Sequence, residues 1–231
     1  MVSERDCIPA RPRTVEEIDR LPGCPAIAVA AERRRISQVV HFTTTTGAVG
    51  IIAAEAVKSR KRVSSDKYLE HVYQPNAAHR KDPEWLDYVN LSVERINNWM
   101  FSHSTKWHPV EHNPWVILSF RPCVLTHPGV VFTTTNNIYP ACKRAEGLAG
   151  FSLMFTDTVL GRYDERHSRT DGMLAAWPTD RQAEVLYPGE LSCDHLQQID
   201  VQLERSLEDI EGALGVLGLD VPVCLAPEVF E

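Results

Sequence analysis

The chain has 231 residues, 43% of them hydrophobic, which is enough to bury one sizeable core. Charged residues at 24% exclude wholesale disorder, and a net charge of −7 excludes a molecule whose summed field attracts nucleic acid. Contact with nucleic acid would need local positive charge, for which the run Lys58–Arg62 and the group Arg162, Arg166 and Arg169 are the candidates.

The six cysteines, at 7, 24, 123, 142, 193 and 224, form no C-x-x-C pair, which argues against a thiolate zinc site. The first residues carry prolines and mixed charge where a signal peptide would be apolar, and no apolar run is long enough to span a bilayer. A cytoplasmic protein with reduced thiols is therefore expected, folded as a single domain over 1–231.

In chain order, residues 1–35 read as an irregular and helical lead-in, with a short helix expected at Val15–Arg20 and another at Ala26–Arg35. Ile36–Phe42 reads as a strand, the threonines Thr43–Thr46 as a helix cap, and Gly47–Ala56 as a helix with Val49, Ile52 and Ala56 on one side. Lys58–Pro83 is polar and reads as a long functional loop region with some helix. Tyr88–Val93, Trp115–Phe120, Gly129–Thr134 and Ala183–Tyr187 are strand candidates, and Ser102–Pro114 a polar connection between two of them. Leu203–Leu217 has the spacing of an amphipathic helix, and Val221–Leu225 reads as a final edge strand because of its proline. The order of short strands and intervening helices predicts an α+β fold.

Two constellations carry chemistry. His41-Phe42-Thr43 ends a strand that runs into a capped helix, where unpaired N–H groups and the positive dipole end can hold a polar or anionic ligand. Alone, it reads better as a capped turn with a surface histidine. In Arg181–Leu186, Gln182 and Glu184 would share one face of a strand. A carboxylate there can stabilise the oxocarbenium-like state of a breaking glycosidic bond, and an amide two residues earlier can orient a nucleophile. Alone, it reads better as a half-exposed strand with polar residues facing water.

Together, the two segments resemble a known family. VVHFTTTTGAVGII is similar to the H-[IF]-T opening of DarT-type DNA ADP-ribosyltransferases, and RQAEVLYPGELS to their R-Q-A-E-F-L-V ending. DYVNLSVERINNWMF stands where that family has Y-V-P-F-Y-F-x-x-R-S-P-M, and VVFTTTNNIYP resembles its C-V-F-T-D strand. The resemblance runs from about Ile36 to the C-terminus and implies an ADP-ribosyltransferase fold with a split, mostly antiparallel β core.

It also implies transfer of ADP-ribose from NAD+ to a base of single-stranded DNA, by a toxin countered by a macrodomain antitoxin of the DarG type. His41, Phe42, Thr43, Gly50 and Gln182 would hold NAD+. Glu184 would be the catalytic carboxylate, with Arg80 assisting and Arg95 its rival. The family's helix asparagine is Gly47 here, and its P-F-Y-F block is altered, so guanine is an alternative to thymine as the target base. RNA or protein is an alternative substrate.

Unstacked bases would be held by aromatic side chains, for which Tyr68, Tyr73, Trp85, Trp99 and Trp107 are candidates. From another class of chemistry, His103, His108 and His112 beside Glu111 could mark a metal-dependent nuclease, although their spacing matches no standard motif and Pro109 interrupts it. No metal is expected for the transferase. A third reading is a binding module without chemistry, against which Glu184 is the strongest feature.

Overall fold

The runs YVNLSV and WVILSF form the strands that their β-branched and aromatic content implies, and the rest of the molecule is arranged around them. The computed structural model describes Thr14 and residues 23–65, 83–107 and 114–231. The first half contains α1 (Pro25–Arg34), β1 (Val39–Thr44), α2 (Thr45–Ala53), β2 (Ala56–Lys58), α3 (Arg60–Ser65), β3 (Tyr88–Val93), α4 (Asn98–Trp107) and β4 (Trp115–Phe120). The second half contains β5 (Val131–Thr133), β6 (Arg144–Glu146), α5 (Gly147–Leu153), β7 (Thr158–Leu160), β8 (Arg166–Ser168), β9 (Val185–Pro188), β10 (Glu190–Ser192), β11 (Leu196–Val201), α6 (Arg205–Leu217) and β12 (Val223–Leu225).

Eight strands form one sheet in the order β12-β11-β4-β1-β3-β9-β5-β6, and β10-β2 and β7-β8 form two-stranded ribbons. Every pair in the large sheet is antiparallel except β11–β12. β1 pairs with β4 along all six of its residues, but with β3 only at Val39↔Val93 and Val40↔Ser92. Beyond Val40 the two strands part. This is the expected split, mostly antiparallel core.

Alternation along the strands sorts the two faces. Val39, Leu91, Val93, Leu118, Phe120 and Val185 lie on one face, where Ile27 of α1, Ile52 of α2, Phe151 of α5 and Ile210 of α6 join them in the main core. The other face carries two smaller apolar clusters. Val40, Trp115, Ile117, Phe101 and Phe230 form one, with Phe42 against it; Trp85, Tyr88, Val131 and Leu186 form the other. Between them, alternation places Asn90, Ser92, Thr133 and Glu184, a polar strip across β3, β9 and β5.

Some elements depart from the sequence reading. The first strand is Val39–Thr44 rather than Ile36–Phe42, and α2 ends at Ala53, so Ala56 opens a strand instead of closing a helix. Ser102–Trp107, expected as a connection, is helical. Asn97 accepts the N–H of Met100 and starts α4, whose Phe101 and Ser104 are buried. The last functional strand begins at Val185, not Ala183, because Asp180–Ala183 closes a turn through Ala183 N–H to Asp180 O at 3.1 Å. Val15–Arg20, Tyr68, Tyr73, Arg80, His108, Glu111 and His112 lie outside the described residues.

Asp200 on β11 is 5% exposed, and its carboxylate accepts Gln198 Nε2 at 2.6 Å. Burial pushes its carboxyl above the ordinary value; the Gln198 bond opposes this and Glu228 adds to it. A raised folded value means that stability is full below the unfolded value of 3.8 and is lost as pH rises through the folded one. Asp200→Asn keeps an acceptor for Gln198 and is expected to raise the urea midpoint at neutral pH. The gain should vanish as the pH falls to the range where the carboxyl is protonated in both states.

Candidate active site

Four threonines turn the end of β1 into a helix start. Thr44 caps α2, accepting Gly47 N–H at its hydroxyl at 3.3 Å, and the Thr45 hydroxyl donates to Pro114 O at 3.1 Å. The β1 end and the first turn of α2 are thereby fixed against both β4 and the chain leading into it. His41 lies where β1 has left β3, and its Nδ1 is 3.0 Å from Asn90 O, bridging the split that the ladder no longer closes.

Phe42 turns to the other face, edge-on to Phe101 at 5.6 Å and tilted on Trp115 at 5.7 Å. Thr43 is 5% exposed, so what it and Phe42 offer a ligand at this bend is chiefly backbone. Gly50 is buried within α2, one turn beyond its start.

Glu184 stands at the head of β9. Its backbone is clamped to β5: its N–H donates to Thr133 Oγ1 at 2.8 Å, and its carbonyl accepts Thr133 N–H at 2.9 Å. Its carboxylate Oε2 accepts the N–H of Asn137 at 2.8 Å. Asn137 is held by Arg144, whose Nε donates to Asn137 Oδ1 at 2.5 Å and whose guanidinium also reaches Asn137 O. A charged anchor on β6 thus sets an asparagine, and the asparagine sets the rotamer of the carboxylate.

The turn before Glu184 is fixed from the same segment. Asp180, 2% exposed, accepts the Thr135 hydroxyl at 2.5 Å and Gln182 N–H at 2.9 Å, with His167 Nε2 at 3.8 Å. The Tyr139 hydroxyl donates to Gln182 Oε1 at 2.9 Å, which directs the amide NH2 of Gln182 away from it. Burial pushes the Tyr139 hydroxyl above its ordinary value, with Arg162 opposing and Asp180, Glu184 and Tyr163 adding. Tyr139 therefore remains a neutral donor at physiological pH.

The register sets the two ends level, although alternation turns the His41 side chain to the main-core face and the Glu184 side chain to the other. Leu91 pairs with Val185 and Ser92 with Val40, so one further step of the β3–β9 register sets Glu184 level with Ser92 and Val40. His41 is the next residue along β1. A single strand, β3, separates them, which is two inter-strand spacings or roughly 10 Å between backbones.

Of the residues singled out from the sequence, His41 lies where β1 leaves β3, and Gln182 and Glu184 lie at the head of β9. The sequence reading put Gln182 and Glu184 on one strand, whereas a turn holds Gln182. It missed Asn137, Tyr139, Arg144 and Asp180, of which only the polar run TTTNN inside a buried strand end gave any local sign.

The candidate basic patches divide. Arg62 pairs with Asp87 at 3.2 Å and Glu190 at 3.7 Å, and Lys61 with Asp87 at 3.7 Å, so these two are largely neutralised within the fold. Arg169 donates to Trp177 O and Leu174 O. Arg162 instead lies 4.7 Å from the ring of Tyr163, which is 86% exposed, and 5.8 Å from Trp99, which stacks on His103 at 4.1 Å. Arg95 covers Trp177 at 3.7 Å, and burial together with Arg181 brings its guanidinium down to about 10, so it is a packed side chain rather than a solvated loop charge.

A family model described as DarT, ssDNA thymidine ADP-ribosyltransferase, matches residues 40–231. The fold is similar to that of Thermus sp. 2.9 DarT in complex with ADP-ribosylated ssDNA (TM-score 0.60, 14% identity, 85% of this chain and 97% of that one). It is similar also to the same protein in complex with NAD+ (TM-score 0.59, 14% identity, 84% and 98%). Thermosipho africanus DarTG in complex with ADP-ribose is a further likeness (TM-score 0.58, 10% identity, 84% and 51%). No curated protein matches in sequence.

At Gly47 an added Cβ would stand 2.3 Å from Thr43 Oγ1, so a side chain here and the Thr43 hydroxyl exclude one another. Gly47→Asn should lower stability by about 1–3 kcal/mol. Thr43→Ala in the same chain should recover most of that loss, measured as a coupling in a denaturation double-mutant cycle.

Proposed function

The chain belongs to the DarT family of ssDNA thymidine ADP-ribosyltransferases, and we propose that it transfers ADP-ribose from NAD+ to a nucleobase of single-stranded DNA at the cleft between β1 and β9. The observation that carries this reading is the placement of Glu184. Its carboxylate is fixed by Asn137, on a polar strip between two apolar clusters, one strand away from His41.

In the proposed complex, NAD+ lies across the bend from β1 into α2. His41 takes the adenosine-side ribose, and Phe42 and Thr43 fix the nicotinamide half, chiefly through backbone groups. Gly50 stays in the proposed NAD+-binding set, as the small residue of the helix behind the bend.

The reaction breaks the bond between the ribose anomeric carbon and the nicotinamide nitrogen, and nicotinamide leaves with the electron pair. The positive charge that develops on the ribose is stabilised by Glu184, an interaction stronger in the transition state than in the ground state. A ring nitrogen of the base then bonds to the anomeric carbon and gives up its proton. Gln182, oriented by Tyr139, presents its amide to the incoming base. Arg80 is proposed to assist in positioning NAD+ and removing that proton, with Arg95 as its rival.

Thymine is the base proposed first, as in the family description. Guanine is the alternative, because Gly47 and the NLSVERINNWM segment depart from the family pattern around the pocket. A base must be unstacked to offer its edge, which favours single-stranded substrate. Tyr163, Arg162 and Trp99 give an exposed stacking and cationic surface next to Tyr139, where flanking nucleotides would lie.

The role proposed for the activity is that of a toxin, with a macrodomain antitoxin of the DarG type as partner. Among the described residues, no helix is long and apolar enough to cross a membrane.

The test is incubation with labelled NAD+ and four single-stranded oligonucleotides, each offering one kind of base. Label is expected on the thymine-containing strand. Label on guanine alone would move the base assignment, and label on RNA or protein with none on DNA would overturn the substrate. Glu184→Gln should lower transfer by about 10²–10³-fold while NAD+ binding persists. Full activity in that variant would sink the mechanism. Transfer that survives a chelator would separate this chemistry from a metal-dependent nuclease built on His103, His108 and His112.

A further inference from the structure

Behind the sheet, on the face away from Glu184, three side chains of metal-ligand type meet. Cys123 lies within the short turn Pro122–Thr126 after β4 and His127 directly follows it, while His195 ends the turn Cys193–His195 before β11. One ligand atom from each lies within 4.8 Å of the other two. Cys123 Sγ is 3.8 Å from His195 Nδ1, and the two imidazole rings are 4.9 Å apart. His127 Nδ1 is 2.7 Å from the hydroxyl of Tyr187, which alternates on β9 to the face opposite Glu184.

We propose that Cys123, His127 and His195 form a binding site for a zinc-class transition-metal ion, held by one thiolate and two imidazoles with water in the fourth position. A four-coordinate zinc ion with S at ~2.3 Å and N at ~2.0–2.1 Å holds its ligand atoms roughly 3.3–3.6 Å apart. The present separations, none above 4.8 Å, need to shrink by up to roughly 1.5 Å to match, a rotamer-scale adjustment.

The Tyr187 contact adds the outer partner that ligating histidines ordinarily have. With Nε2 on the metal, Nδ1–H donates to the Tyr187 oxygen, which fixes the tautomer and the ring orientation. Binding releases the Cys123 thiol proton to solvent, so the site carries one thiolate for a divalent ion.

The backbones around the site are already joined. Arg121 N–H donates to His195 O at 2.9 Å, and Cys24 N–H to Thr126 O at 2.8 Å. The two turns are thus set in place before any ion arrives, and loading would tie the β4 exit, the β11 entry and, through Tyr187, the strand that carries Glu184. The absence of a C-x-x-C pair pointed away from a thiolate site, but here the ligands come from a C-x3-H stretch and a histidine 72 residues beyond Cys123, a pairing that only the sheet produces.

The experiment uses the full chain, stripped with a chelator and titrated with Co2+. One equivalent is expected to give thiolate-to-cobalt charge transfer and the intense visible bands of a four-coordinate ion, with Zn2+ displacing the cobalt. Cys123→Ser should abolish the charge-transfer band, whereas Cys224→Ser should leave it. Tyr187→Phe should weaken binding by about tenfold. Zn2+ should raise the unfolding temperature of the parent and not of Cys123→Ser, a readout independent of transferase activity. No charge-transfer band in the parent, or a band that survives Cys123→Ser, would overturn the site.

Discussion

The structure depends on a ladder that stops early. β1 runs alongside β3 for two residue pairs and then departs, while it stays with β4 for six. A full β1–β3 ladder would give a flat sheet with its backbone groups paired. The departure leaves His41 at the lip of the split, with its ring reaching the carbonyl of Asn90 on β3 where the ladder no longer does. Because β3 still pairs with β9, the opening is bounded on its far side by the strand headed by Glu184.

What fixes that carboxylate is a chain of hydrogen bonds drawn almost wholly from one stretch, residues 133–144. Thr133 clamps the Glu184 backbone, Thr135 and Asp180 fix the preceding turn, Tyr139 sets Gln182, and Asn137 under Arg144 sets the carboxylate. Electrostatic catalysis rests on such preorganisation, since groups already oriented need not reorganise as charge develops. The stretch pairs with β9 through β5, so the positioning of the proposed catalytic group is part of the sheet itself, not of a loose loop.

Charge is distributed to match. The net charge of −7 opposes a polyanion, and the most basic run in the sequence is partly consumed by Asp87 and Glu190. Among the described residues, Arg162, Tyr163 and Trp99 are cationic and aromatic groups that remain exposed beside Tyr139. Such a surface suits the proposed contact with a few unstacked nucleotides better than contact with a long duplex.

Local sequence determined the elements whose signals are local. Tyr88–Val93 and Trp115–Phe120 are strands because β-branched and aromatic residues are concentrated in runs of strand length, and Arg205–Leu217 is a helix because Leu207, Ile210 and Leu214 recur at its period. The motifs around His41 and Glu184 were legible for the same reason, with their neighbours in sequence. Tertiary structure decided the rest. Ser102–Trp107 looked like a loop from its polarity, and became helical through its Asn97 cap and the burial of Phe101. Lys61 and Arg62 looked like a binding patch until Asp87, some 25 residues away, met them. Arg144 and Asp180 carry no mark in the sequence, and Asn137 only the polar run around it, because their meaning lies in bonds that span up to 47 residues. Periodicity and capping are read within a few residues, whereas which polar groups share a buried strip is set by strand order and register, and these exist only once the sheet has formed.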